Sequence, residues 1–290
     1  MLNQKSTTTN SEETAGQGAQ PGDDSLDSSN HPAFTSYYEE QSQKADVIER
    51  FRHLRNVLLT FYAAHAGRQG AASLNVVDIG CGAGTQAILW AEEGHHVSGV
   101  DVSERLIDVG KERMAKAGVS VDFKVGTSSR LPLPDAHTDI CLLPELLEHV
   151  PDWFDTLKEC HRILKPGGLV YISTSNALCP SQQEYSLPLY SWYPGFLKRI
   201  CEQKAVTTHR QWVNYATYPA VNWFTNPGLA SVLSKMGFIC HDRFDIIDLS
   251  GKSKWISWAV KNLILRWRLL RYATYMLTSS TVVVAIKQAD

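Results

Sequence analysis

Apolar residues are almost absent from positions 1–30, "MLNQKSTTTNSEETAGQGAQPGDDSLDSSN". Such a stretch cannot bury enough surface to offset its ordering entropy and is expected to be a disordered tail. From Tyr37 to about Ala66 the apolar positions Val47, Phe51, Leu54, Leu58 and Phe61 recur at steps of three and four, which predicts an amphipathic helix. At Leu74 the rhythm changes. "LNVVDIG", "HVSGVD", "VSVDFKVG", "TDICLLP" and "LVYISTS" are short β-branched runs, separated by the helical stretches "TQAILWAEEG", "ERLIDVGKERMAKAG" and "DWFDTLKECHRILK". Gly94 closes the first of these helices, Ser103 caps the second and "PGG" stops the third. Strands alternating with helices predict a parallel sheet wrapped on both faces, with ligands held beyond the carboxyl ends of the strands.

Residues 176–224 break the alternation. They are rich in Tyr, Trp and Pro and are expected to form a cap. "TNPGLASVLSKMG" then predicts a short helix capped by Asn226, with Pro227 in its first turn and Gly237 closing it. "FICHDRFDII" and "STVVVAIKQ" are two late strands expected to pair at the sheet edge.

A net charge of −2, from 28 basic and 30 acidic residues, gives no global pull toward nucleic acid. The six cysteines (81, 141, 160, 179, 201 and 240) form no CxxC pair, which suits reduced thiols in a cytosol. No uncharged apolar run reaches the ~18–20 residues of a membrane span. The expectation is a soluble or peripheral protein of the cytoplasm.

"VVDIGCGAG" puts Asp78, Gly80, Cys81, Gly82 and Gly84 on the turn from the first strand into the first helix of the sheet. Glycines let a ligand approach bare backbone, and the helix N-terminus offers unpaired N–H groups. The spacing is G-x-G-x-G rather than the dinucleotide fingerprint G-x-G-x-x-G, whose third glycine would fall at Thr85. An acid stands two residues before the first glycine. Asp78 would repel a pyrophosphate and draw an ammonium, whereas Asp101, ending the second strand, can accept ribose hydroxyls.

At these residues the chain resembles the class I S-adenosylmethionine-dependent methyltransferases. The resemblance covers roughly 45–245 and rests on "DIGCGAG", "GVDVS", "GTSSRLPLPDAHTDICLLPELLEHV" and "LKPGGLVYIST". It implies a Rossmann-like α/β fold: a seven-stranded, mostly parallel sheet with helices on both faces, an N-terminal helix and a helical cap. Residues 31–290 would then be one domain, with a cofactor-binding core at 74–175, a cap at 176–224 and a basic amphipathic helical insertion at 250–277. By the same resemblance Asp78 and Gly80–Gly84 would hold the methionine part, with Arg55 either near its carboxylate or a solvated charge on the amphipathic helix. Asp101 and Val102 would hold the ribose, and Pro144 would complete the set. Relatives often carry an acid for the adenine amino group where this chain has Thr127, so a backbone N–H near Ser128 is left for that task.

"ELLEHVPD" is similar to the ubiquinone-pathway O-methyltransferases and to the small-RNA 2′-O-methyltransferases. There the two glutamates and the histidine are associated with a divalent cation and a later histidine. The resemblance thus implies Glu145, Glu148, His149 and His209 as ligands of Mg²⁺, Mn²⁺ or Zn²⁺, with Glu145 and Glu148 one helical turn apart. The alternatives are that His149, with Glu148, acts as a general base without metal, or that the segment is only a polar helix start. Tyr37, Tyr38, Tyr190, Trp192 and Tyr193 either line the acceptor pocket or pack the cap.

"GKSKWISWAVKNLILRWRLLRYATYM", 251–276, carries Lys252, Lys254, Lys261, Arg266, Arg268 and Arg271 among three tryptophans. On one long helix Lys254, Lys261 and Arg268 share a face. That suits a helix lying on the anionic inner face of a membrane, a helix packed on the sheet with its charges in water, or, as the least favoured reading, an RNA-binding face. The expected activity is methyl transfer from S-adenosylmethionine, giving S-adenosylhomocysteine, to a hydroxyl of a small or lipid-like acceptor. Its rivals are an RNA 3′-terminal 2′-O-methyltransferase and a non-catalytic scaffold of the same fold.

Overall fold

In the computed structural model, residues 40–65, 73–181, 185–212 and 222–289 are described. The expected tail at 1–30 and the aromatics Tyr37 and Tyr38 lie outside them. Helix α1 (Ala45–His65) is followed by β1 (Asn75–Ile79), α2 (Thr85–Ala91), β2 (His96–Asp101), α3 (Glu104–Ala117), β3 (Val121–Val125), β4 (Thr138–Pro144), α4 (Trp153–Ile163) and β5 (Leu164–Ser175). After β5 come α5 (Gly195–Thr207), α6 (Asn226–Lys235), β6 (Phe238–Asp242), α7 (Lys254–Ala259), α8 (Arg268–Tyr275) and β7 (Ser280–Lys287).

The strands form one seven-stranded sheet in the order β3-β2-β1-β4-β5-β7-β6, all parallel except β7. Strand runs that are apolar without alternation, such as "ICLL" and "VVVAI", follow from burial on both faces. Val77, Ile79, Cys141, Leu143, Val170, Ile172, Val283 and Ala285 face α4 and α6. Their neighbours Val76, Ile140, Leu142, Leu169, Tyr171, Val282, Val284 and Ile286 face α1 and α2. The period of two along each strand thus divides one apolar run between two cores.

Helix ends follow local chemistry. Ser103 caps α3 by accepting from the Leu106 N–H at 3.3 Å. At α6 the cap is Thr225, not Asn226: the threonine hydroxyl accepts from the Gly228 N–H. Asn226 instead donates to the Val282 carbonyl at 2.8 Å, tying the helix start to β7.

The segment after β5 has its own small core, in which Tyr185 and Tyr190 stack at 4.1 Å and pack with Cys201, Ala205 and Trp223. Tyr190 is fully buried there, and the partly buried Tyr193 packs against it. Trp192 is exposed, with its indole N–H donating to the Leu178 carbonyl.

The insertion is not one long helix. It runs as α7, a π-helical turn at Val260–Ile264, an extended break at Trp267 and then α8. A continuous helix over 251–276 would extend about 39 Å and leave its end far from β7. Arg271 and Tyr275 draw α8 back instead, both bonding Asp242 at the end of β6, and Arg271 also pairs with Asp245 at 2.7 Å. The expected shared face of Lys254, Lys261 and Arg268 does not survive this break.

Candidate active site

The loop after β1 is pinned from two sides. Gly80 and Cys81 N–H groups both donate to the Val100 carbonyl, at 2.8 and 3.2 Å. The Asp101 carboxylate accepts from the Gly82 N–H at 2.8 Å and from the Ser103 N–H at 2.9 Å. The acid that ends β2 thereby fastens the glycine turn to the start of α3. Gly84 enters α2 at φ +73, a left-handed conformation, and a methyl on it would run into the ring of Phe123. Only glycine meets both conditions there.

Asp78 is 1% exposed, and its Oδ1 has no hydrogen-bond partner among the described residues. Burial, and next the nearby Asp101 charge, push its pKa up to about 7; the Ala87 amide offsets part of this. Gln86, in the first turn of α2, is also buried, and neither of its amide atoms has a partner among the described residues. A buried acceptor short of a donor beside a cradle closed to side chains is an incomplete polar site. An ammonium against Asp78 would satisfy the orphaned oxygen and restore its charge, so these residues fit the methionine end of S-adenosylmethionine. Val102 is exposed just beyond Asp101, and Thr127 forms a small bridge with Arg130. Ser128 shares a 2.8 Å hydrogen bond with Thr156 of α4.

Arg55 is elsewhere. It is 6% exposed, donates to the Leu89 carbonyl at 2.7 Å and pairs with Glu93 at 2.8 Å. It therefore secures α1 to the far end of α2, away from the glycine turn, and is not placed to meet a methionine carboxylate. Gln86 and Arg113 take a part that sequence reading did not give them. Arg113 reaches from α3 to the Ala83 carbonyl, Thr85 Oγ1 and Ser42 Oγ, between 3.3 and 3.4 Å, and so braces the loop. A glutamine interrupting the apolar run "TQAILWA" was the one available signal for Gln86.

"ELLEHV" is a series of turns, not a helix; α4 starts only at Trp153. Pro144 ends β4, and Glu145 follows at φ +50, anchored by its N–H to the Ser173 carbonyl at 2.8 Å. The reversal sends the two glutamates to different environments. Glu145 is exposed, while Glu148 is 0% exposed and its Oε2 accepts from Thr174 Oγ1 at 2.7 Å. Asn222 braces the turn by donating to the Leu147 and Val150 carbonyls at 3.0 and 2.7 Å. His149 is partly buried, and loss of solvation pushes its imidazole down to about 4, so the ring is neutral near pH 7.

His209 lies after α5, stacked on Trp212 at 4.3 Å and bonded to Thr208 at 2.7 Å. Among the described residues no three His, Cys, Asp or Glu side chains converge as a metal site. Glu145, Glu148, His149 and His209 are therefore not brought together. The i, i+3 spacing that would align the glutamates on a helix does not do so across turns. Glu148, buried under the turn, holds β5 to the loop through Thr174.

A cleft of about 390 Å³ opens among Asn75, Val97, Ser98, Asp122 and His137, at the amino ends of the strands. It is at the opposite edge of the sheet from these loops and has no part in the site.

Residues 77–172 match the family described as "Methyltransferase domain". A ubiquinone biosynthesis O-methyltransferase of Pseudomonas aeruginosa is 38% identical over 111 residues, covering 38% of this chain and 47% of that protein. The corresponding protein of Aromatoleum aromaticum is 37% identical over 108 residues, or 37% of this chain and 46% of that one. The chain thus spans about half the length of the curated relatives it matches. Among solved structures, an S-adenosylmethionine-dependent methyltransferase from Mesorhizobium loti superposes with a TM-score of 0.50 at 18% identity, over 80% of this chain and 98% of that one. At that identity the likeness speaks for the fold. The strand order is that of the class I methyltransferase fold, and residues 77–172, which begin just before the glycine loop, are similar to a methyltransferase domain.

Proposed function

We propose that this chain transfers a methyl group from S-adenosylmethionine to a hydroxyl of a small or lipid-like acceptor. The observation that carries the reading is Asp78: a buried carboxylate with an unsatisfied oxygen, beside a turn that only glycine can make. Asp101, at the end of β2, is the group to receive the ribose hydroxyls, and the backbone near Ser128 is the adenine side. The relatives' named role in ubiquinone biosynthesis makes a hydroxylated ring with an apolar tail the first acceptor to try.

S-adenosylmethionine supplies an electrophilic methyl whose bonding electrons stay with sulfur when the new O–C bond forms. The chain's part is to aim the hydroxyl in line and to take its proton. In this reading His149, neutral and poor in water in the loop after β4, accepts that proton on an imidazole nitrogen. A ring so desolvated is a weak base, and it takes the proton as the acceptor oxygen grows more acidic on bonding to the methyl. Glu148 acts as a positioning residue by holding the turn to Thr174. No step is assigned to a metal, because the expected ligands do not converge.

The test is calorimetric titration with S-adenosylmethionine and S-adenosylhomocysteine, repeated on Asp101→Ala, together with transfer of a labelled methyl to hydroxylated aromatic acceptors. Asp101→Ala should weaken cofactor binding by roughly a hundredfold, as expected when charge-assisted hydrogen bonds are lost. Near-normal affinity in that variant would refute the ribose assignment. Binding without transfer to any hydroxyl would leave a cofactor-binding protein without this chemistry.

A further inference from the structure

Between β6 and β7 the chain makes an excursion whose surface is unlike the rest. Trp255 is 73% exposed, Leu269 84% and Leu277 82%, and Ile256, Trp258, Trp267, Leu270, Tyr272 and Met276 are exposed as well. Single exposed apolar residues need no explanation, but a run of this density does. No acid occurs anywhere from 249 to 289, in a chain whose acids outnumber its bases. Lys252, Lys254, Lys261 and Arg266 are exposed along the same excursion, and among the described residues the last three have no ion-pair partner. Arg271 differs, since Asp242 and Asp245 hold it.

We infer that residues 252–277 dock on an anionic lipid bilayer, lying in its headgroup region. Indole and leucine side chains enter the acyl boundary while lysine and arginine meet lipid phosphates, a combination that interfacial helices use. No helix among the described residues is long and apolar enough to cross a membrane, so the contact is with one leaflet. The occupant follows from charge: a purely basic, tryptophan-rich surface is complementary to anionic lipid and repels a second copy of itself.

The placement gives the contact a direction. β6 ends, and the antiparallel β7 begins, at the carboxyl edge of the parallel strands. Asn176, just past β5, donates from its amide to the Tyr275 and Thr278 carbonyls, both at 2.7 Å, stitching the end of the excursion to that edge. The docking surface thus leaves the sheet on the same edge as the glycine loop and His149. A bilayer against it would face the catalytic side of the sheet.

This inference rests on the surface alone, and its test needs no turnover. The full chain is floated with vesicles of phosphatidylcholine alone and with vesicles one third phosphatidylglycerol, at low and high salt. Flotation with the anionic vesicles that weakens in salt is expected. Lys252→Gln/Lys254→Gln/Lys261→Gln should lower the partition by roughly a hundredfold, at a factor of about five per charge. Trp255→Ser/Trp258→Ser/Leu269→Ser should abolish it, with thermal unfolding checked for both variants. Should either variant fold poorly, quenching of the wild-type tryptophans by brominated acyl chains reads the same contact. No flotation and no quenching, equal binding to neutral vesicles, or a dimer that the tryptophan substitutions dissociate would each overturn the inference.

Discussion

Two loops leave neighbouring central strands at the same edge of the sheet, one after β1 and one after β4, and they solve the same turn differently. In the first, every left-handed position among 80–84 is a glycine: Gly80, Gly82 and Gly84. In the second, the left-handed residue is Glu145, at φ +50. The first loop leaves room for the Leu146 and Phe123 side chains at a left-handed conformation that glycine adopts freely. The second holds a side chain in a conformation that costs an ordinary residue about 1–2 kcal/mol, with Ser173, Glu148 and Asn222 bracing it. One loop is shaped by what it lacks, the other by what surrounds it.

The comparison can be broken most easily at Asp78. If the first loop is a cradle built for a cationic ligand, Asp78→Asn should cut S-adenosylmethionine affinity by at least a hundredfold. The same change should make the ligand-free protein more stable above pH 7. The carboxyl's pKa is raised in the folded state from 3.8 to about 7, so the folded form binds the extra proton between those values. Asp78 therefore contributes a fall in stability as pH rises from about 4 to 7, by up to a few kcal/mol, against a rise over about 4 to 6.5 from the lowered pKa of His149. Thermal melts across that range should show stability rising more steeply with pH in the variant than in the wild type; identical pH dependence would mean that Asp78 does not contribute.

Gly84→Ala tests the other half of the claim. It places a methyl at φ +73 and against Phe123, and should cost about 2–4 kcal/mol in urea unfolding. The smallest effect belongs to the second loop. Glu145→Gly should relieve the strain and raise stability by about 1 kcal/mol or less. Loss of stability in that variant would mean that the glutamate's contacts outweigh its backbone, and the contrast between the loops would disappear.

What the sequence made legible was periodic or chemical at short range. The five parallel strands, the pairing of the two late strands and the glycine turn all followed from β-branched runs and from glycines, which act within a few residues. What stayed hidden depended on distant partners. Arg55 lies on the inner side of an amphipathic helix, but periodicity does not say which end of the neighbouring helix it meets. Glu145 and Glu148 carry i, i+3 spacing, which is the same whether the segment is helical or turned. The positive φ that separates them is enforced through β5 rather than by local residue choice. The cap at Thr225 instead of Asn226 is a one-residue ambiguity, since both side chains can cap and only the contact with Val282 decides.

The position of β7 has a consequence for how the chain acquires its shape during synthesis. Strand β5 bonds to β4 on one side and to β7 on the other. After β5 leaves the ribosome, its partner follows roughly a hundred residues later, on the order of ten seconds at ordinary translation speeds. Throughout that interval "LVYISTS" presents an open strand edge with unpaired backbone groups, the kind that pairs with stray strands. The nascent protein is therefore expected to be most vulnerable to misassembly while its cap and insertion are being made, and to become safe in one late step when β7 slots between β5 and β6.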